Sequence, residues 1–161
     1  MMIDLERLGW DRRCVGEQDH RLLRAPSVQL RSARRGQHGD VIYCVDLRLR
    51  RPNAGHYLSN TELHSIEHVL LQGFQRHLPD SFVSVGVMGC QTGFYLVFLN
   101  EGRADVLCDV LADILTELDT AVSVPFQRID QCGNYQNHDL ELARRVARQM
   151  LRARSHWLEA L

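Results

Sequence analysis

Two histidines four residues apart, His64 and His68, enclose a glutamate, Glu67, in the stretch "ELHSIEHVL". On a helix, positions i and i+4 share one face, a turn apart. Two imidazoles so placed can grip one divalent metal ion, and the carboxylate beside them can move a proton. The spacing H-x-x-E-H is that of inverted zinc proteases; the plain alternative is a helix surface that carries three polar residues. A catalytic metal site usually takes three protein ligands and leaves one position open. Two downstream residues are candidates for the third: Cys132, before a glycine in "QCGNY", and His138 in "NHDL". His138 reads more readily as a capping or solvated histidine at a helix start.

A second thiol, Cys90, lies between glycines in "MGCQTG". A glycine-flanked turn often sets its side chain at a sheet end, where a ligand can reach it; most free cysteines are instead small buried hydrophobes. Cys44 and Cys108, each in the middle of an apolar stretch, take that second description. Asp46, Arg48 and Arg50 alternate along one strand face, which reads as solvated, although a guanidinium there could bind a carboxylate bidentately. All 19 residues counted as Lys+Arg are arginine. A lysine Schiff base is therefore excluded, and carbonyl chemistry would need another electrophile, such as a metal.

These groups must be positioned by a chain of 161 residues, enough for one domain, 1–161, with its own core. At 45% hydrophobic and 24% charged, the composition is that of an ordinary globular protein. A net charge of −1 gives no electrostatic reason to expect nucleic acid or an acidic membrane. No apolar run has the length of a membrane span and no signal pattern opens the chain, so a cytoplasmic location is expected. Five cysteines without a dense framework read as free thiols or metal ligands.

Alternation predicts strands over 27–33, 41–50, 81–88 and 93–99, with a hairpin turn at 34–40. Helical spacing of Leu63, Ile66, Leu70 and Phe74 predicts a helix capped by Asn60 or Thr61 and running to about Leu78, before Pro79. A second helix is expected over 103–121, and a third, arginine-rich and water-facing, from Asn137 or Asp139 to about Leu161. Residues 125–135 read as a short strand or loop. Strand pair, helix, strand pair and two helices suggest an α+β fold with helices on one face of the sheet.

In order along the chain, "DH" (19–20), "DLR…PN" (46–53), "HSIEH" (64–68), "MGCQTGFYL" (88–96) and "QCGNYQNHDL" (131–140) resemble the S-ribosylhomocysteine lyase (LuxS) family over nearly the whole chain. The resemblance implies a homodimer, each subunit a four-stranded antiparallel sheet with helices packed on one face, and active sites at the interface. It implies that His64, His68 and Cys132 hold one divalent metal per chain, Fe(II) natively, with Zn(II) or Co(II) as substitutes and water as fourth ligand. Cys90 then matches the catalytic thiolate and Glu67 the second general acid/base. His20 and Arg48 match positions that hold substrate from the partner subunit, with Asp46 and Ser84 also placed against substrate. The implied reaction moves the ribose carbonyl of S-ribosylhomocysteine along the sugar and then eliminates homocysteine, leaving dihydroxypentanedione.

The chain departs from the family in two places. Val15-Gly16 stands where the family usually reads Ser-Phe, and Ser84-Val85-Gly86-Val87 stands where it reads Asp-Ile-Ser-Pro. Both places hold the amino-acid end of the substrate in the family. A thioether with a different tail is therefore an alternative substrate. An H-x-x-E-H metallohydrolase and a non-enzymatic metal-binding dimer are further alternatives.

Overall fold

The computed structural model describes residues 3–161. Strands β1 (Ser27–Arg35), β2 (Val41–Arg48), β3 (Phe82–Val87) and β4 (Gly93–Leu99) are joined with helices α1 (Asn60–His77), α2 (Ala104–Glu117) and α3 (Leu140–Arg152). The sheet has the order β1-β2-β4-β3, and each neighbouring pair is antiparallel. Alternation along the strands divides its two faces. Val45 and Leu47 of β2, with Leu96 and Phe98 of β4, turn toward the helices and share one core with Ile66, Phe74, Leu111 and Val146. The α+β arrangement expected from the order of elements is the one observed.

Helix α1 carries the H-x-x-E-H spacing, and its start is set firmly. Ser59, one residue earlier than expected, is the N-cap: its hydroxyl accepts from the Glu62 amide while the Glu62 carboxylate accepts from the Ser59 amide. That reciprocal pair satisfies two donors the first turn leaves free. The helix ends at Leu78, ahead of Pro79, as the sequence predicts.

Other boundaries differ for physical reasons. Strand β2 stops at Arg48 because the Leu49 and Arg50 amides both donate to the Thr92 carbonyl, at 2.8 and 3.0 Å, and leave the ladder. Residues 125–135 form no strand; their amides close turns such as Cys132 to the Arg128 carbonyl, 3.0 Å. Helix α3 stops at Arg152, well short of Leu161. The chain turns so that Trp157 enters the core, its indole donating to the Met150 carbonyl at 2.9 Å. The Trp157 and Ala160 carbonyls then accept from the Val28 and Arg24 amides, at 2.7 and 2.9 Å, and lash the tail to the start of β1. Among the described residues no helix is long and apolar enough to cross a membrane.

Gly93 lets β4 approach β2 where the two strands carry the candidate site. A Cβ there would lie 2.1 Å from the Leu47 carbonyl oxygen and 2.9 Å from the Arg48 Cα. Backbone cannot yield as a side-chain tip can, so Gly93→Ala must separate the strands. We expect a loss of about 1–3 kcal/mol in urea unfolding, the usual range for overpacking. Unchanged stability would show that the strands can part there without cost.

Candidate active site

Helix α1 brings His64 and His68 together as the four-residue spacing requires, with ring centroids 4.7 Å apart. The loop after α2 delivers Cys132, whose Sγ lies 3.4 Å from His64 Nε2. It also delivers His138, whose Nε2 lies 3.6 Å from the same sulfur. One donor atom from each of His64, His68, Cys132 and His138 fits within 4.8 Å of all the others. A tetrahedral ion with metal–nitrogen bonds of about 2.0 Å and a metal–sulfur bond of about 2.3 Å sets its ligand atoms roughly 3.3–3.8 Å apart. The cluster is thus of the right size and donor type to bind a metal.

What surrounds the donors fits the same purpose. His64 Nδ1 donates to the Asn137 carbonyl at 3.0 Å, and His68 Nδ1 donates to the Pro125 carbonyl at 2.7 Å. Each hydrogen bond takes the Nδ1 proton outward and leaves Nε2 with a free lone pair facing the cluster. The Asn134 amide donates toward Cys132 Sγ at 3.4 Å. Burial, then the neighbouring imidazoles of His64 and His68, hold His138 down to about 4, so it is neutral at pH 7.

His138 is the residue that sequence reasoning set aside. The cap of α3 is Asp139, whose carboxylate accepts from the Leu142 amide at 2.9 Å. His138 instead turns inward over His64, their ring centroids 4.0 Å apart, while its Nδ1 lies 3.4 Å from the buried Ser65 hydroxyl. Its six-residue separation from Cys132 was the available signal, since a tight loop can return both residues to one place. Glu67 sits half-buried on α1, three residues after His64, and makes no hydrogen bond or ion pair among the described residues.

The second group of residues gathers where β2 meets the turn before β4. Cys90 is exposed, in a cavity of about 360 Å³ lined in part by His20, Asn53, Tyr57, Gln91 and Thr92. Its Sγ is 3.0 Å from the Thr92 hydroxyl, and Arg48 Nη1 donates to that same hydroxyl at 2.6 Å. Burial pushes the thiol up, but the Thr92 hydroxyl and amide and the Arg48 guanidinium outweigh it and hold Cys90 below the usual cysteine value. The Gln91 carbonyl accepts from the Leu58 amide at 2.9 Å, which ties the Cys90 turn to the chain entering α1.

Asp46 and Arg48, expected on a solvated face, are buried. The segment from Gly16 to His20 covers them, leaving a cavity of about 210 Å³ with Gln29 and Arg31 also in its wall. Arg31 Nη1 donates to Asp46 Oδ2 at 3.1 Å, and Arg48 Nη2 lies 3.9 Å from the same oxygen. Asp46 Oδ1 is buried without a hydrogen-bond partner within the described chain. Burial raises the Asp46 carboxyl, and Arg31 and Arg48 only partly offset that rise. Ser84 stands apart from both groups: it is exposed on β3, lines neither cavity, and its hydroxyl is 3.5 Å from the Val85 carbonyl.

Of the remaining cysteines, Cys108 is pushed up to about 12, chiefly by burial, and is inert as a thiolate. Cys44 is half-buried on the sheet face away from the helices rather than in the core.

Comparison with known proteins is specific. The family model of S-ribosylhomocysteinase (LuxS) matches residues 17–160. The S-ribosylhomocysteine lyase of Halobacillus halophilus is 37% identical over 141 residues, covering 88% of this chain and 91% of that protein. Its counterpart in Dichelobacter nodosus is 40% identical over 139 residues, covering 86% and 89%. That of Listeria monocytogenes serovar 1/2a is 39% identical over 139 residues, covering 86% and 88%.

Proposed function

The chain belongs to the S-ribosylhomocysteinase (LuxS) family, and from that premise we propose that it is a metal-dependent carbon–sulfur lyase acting on S-ribosylhomocysteine. The products are homocysteine and dihydroxypentanedione. The observation that supports this reading most is the donor cluster, because His64 Nε2 faces Cys132 and one donor of His68 lies within 4.8 Å of both, with the Nδ1 atoms of both histidines bonded to backbone carbonyls. His64, His68 and Cys132 are the proposed ligands of one divalent ion, natively Fe(II) and replaceable by Zn(II) or Co(II). The ion supplies Lewis acidity that polarises a sugar carbonyl and offsets developing negative charge.

The remaining steps fall to side chains. Each one-carbon shift of the carbonyl takes a proton from one carbon and returns one to its neighbour, and two such shifts carry the carbonyl from C1 to C3. Cys90, held toward its thiolate form, and Glu67, which has no hydrogen-bond or ion-pair partner among the described residues, are suited to be the two groups that exchange those protons. A final proton abstraction beside the carbonyl expels the thiolate of homocysteine from the next carbon, so the atoms balance without water or redox partner. His20, Arg48 and Asp46 hold the sugar, the guanidinium donating and the free Asp46 oxygen accepting. Ser84 can meet substrate only from the outward face of the sheet.

That outward face supports a homodimer. Val83, Ile42 and Tyr95 are 58, 47 and 41% exposed, and Cys44, Val97 and Leu99 lie among them half-buried. A second copy of this face would cover it about a twofold axis.

The direct test is to incubate purified, iron-loaded protein with S-ribosylhomocysteine and assay free thiol. Stoichiometric thiol release is expected, and none at any metal loading would overturn the reading. Cys90→Ala and Glu67→Gln should each keep full metal content while kcat falls about 10²- to 10⁴-fold, the usual worth of a general acid or base. Near-normal kcat in either variant removes that residue from the proton transfers.

A second reading keeps the chemistry and changes the tail. Ser84 offers no charge to a substrate ammonium, and losing one charge-assisted contact costs about 1.5–3 kcal/mol. S-ribosylhomocysteine would then lose roughly ten- to a hundredfold in kcat/KM, and a tail that retains its acid but lacks or masks the amine would be preferred. Comparing S-ribosylhomocysteine with its deaminated and N-acylated analogues decides between the two. A tenfold advantage for the parent compound excludes the altered tail.

A further inference from the structure

Between Arg48 and Cys90 stands a residue with no assigned role. Thr92 is 1% exposed, and its hydroxyl touches three groups. It accepts from Arg48 Nη1 at 2.6 Å, and it lies 3.0 Å from Cys90 Sγ and 3.8 Å from Met88 Sδ. A guanidinium has only donors, so the Thr92 oxygen must be the acceptor in the first contact. Its single proton then has two places to go, and the nearer is Cys90. A thiolate there receives a hydrogen bond already polarised by a cation behind the hydroxyl, and such charge-assisted bonds are the strong ones.

The rest of the surroundings holds this chain of contacts in place. Arg48 is buried, 3.9 Å from Asp46, which Arg31 anchors in turn. The Thr92 carbonyl accepts from the Leu49 and Arg50 amides, so its backbone is pinned to the end of β2. Gly93, next in sequence, pairs with Arg48 across the ladder. The Thr92 hydroxyl therefore cannot drift from Cys90 without the strands moving. Among the hydrogen bonds of the described chain Thr92 bridges Arg48 to the thiol, and the guanidinium charge also acts on the sulfur directly.

We propose that Thr92 is the positioning residue of this site, relaying the Arg48 guanidinium to Cys90 and aiming its sulfur as a thiolate. The proposal rests on Cys90 being the reacting thiol of the lyase described above. It assigns the hydroxyl a function that a packing methyl cannot serve. Valine at this position would preserve the volume while removing the donor, and serine would preserve the donor.

The test reads Cys90 itself and turnover separately. Iodoacetamide alkylation of Cys90, followed by peptide mass spectrometry so that the other four cysteines do not interfere, is measured against pH in the metal-loaded protein. In Thr92→Val the midpoint of alkylation is expected to move up by about one pH unit or more, making Cys90 roughly tenfold less reactive below the midpoint. The kcat for thiol release should fall about tenfold with KM within about twofold, because the contact acts on the proton transfer rather than on uniform binding. Thr92→Ser should return both profiles to those of the unaltered protein. Thr92→Ala, which cannot overpack, supplies the same comparison if valine impairs folding.

Alkylation profiles of the hydroxyl-free variants that coincide with the unaltered protein's overturn the proposal. So does a loss of activity that serine fails to rescue, since that marks a packing role. The lyase reading fails differently: if the unaltered protein releases no thiol while the alkylation midpoint still shifts, Thr92 keeps its part and the substrate is wrong.

Discussion

Cys132→Ala is expected to lose its metal on dialysis and all measurable turnover with it, while His138→Ala keeps one ion per chain. Four donors converge on one point, yet the catalytic ion needs an open position for substrate. Cys132 is the one donor whose deprotonated form brings negative charge, and a soft thiolate suits iron or zinc. Without it two or three neutral imidazoles remain, a weaker set for a divalent cation. His138 contributes from a different direction. Its Nδ1 is engaged with Ser65 and its Nε2 faces the sulfur of Cys132, so it is placed as an outer partner of the thiolate. Removing such a partner usually weakens metal affinity about ten- to a hundredfold without abolishing binding. Metal analysis after dialysis, and titration against a competing chelator, check both variants. Full metal in Cys132→Ala, or none in His138→Ala, exchanges the assignments of those two residues.

The parts of this site that could be read in the sequence are those carried by residue type at fixed spacing. His64 and His68 were legible because one helix sets their separation, and Cys132 because it sits in a distinctive block. The groups that orient them were not. The Pro125 and Asn137 carbonyls that hold the two Nδ1 protons are backbone atoms, and a backbone atom leaves no signature in residue type. Arg48 and Asp46 alternate as a solvated strand face should, but the segment from Gly16 to His20 folds over them, a long-range event that alternation cannot report. Arg144 illustrates the same limit on α3. Expected in water, it is half-buried and donates to the Leu118 and Ala121 carbonyls, satisfying the end of α2. The early stop of α3 had no glycine or proline to announce it; the burial of Trp157 decides it. The strands and the faces they bury were more legible, because the apolar alternation of β2 and β4 admits only one face toward the core.

Subunits carrying Glu67→Gln and Cys90→Ala, each inactive alone, are expected to regain about half the activity of the unaltered dimer when paired in one heterodimer. The resemblance implies that Arg48 serves substrate from the partner subunit. Within one chain of this protein Arg48 is bound through Thr92 to Cys90, and His20 lines the same cavity. These three residues must therefore serve the same site, and if Arg48 works across the interface then Cys90 does too. Glu67 lies on the helix that carries His64 and His68, the proposed metal ligands, and stays with them. Each site then takes Glu67 and the metal from one subunit and Cys90 from the other. A twofold dimer has two such sites. Pairing the variants concentrates both lesions in one site and leaves the other whole. The parents, each down by about 10²-fold or more, set a low background. Differently tagged subunits, co-expressed and purified through both tags, give the heterodimer for a thiol-release assay. Activity no higher than the parents' would place Cys90 and Glu67 of one chain in the same site, and would end the shared-site reading.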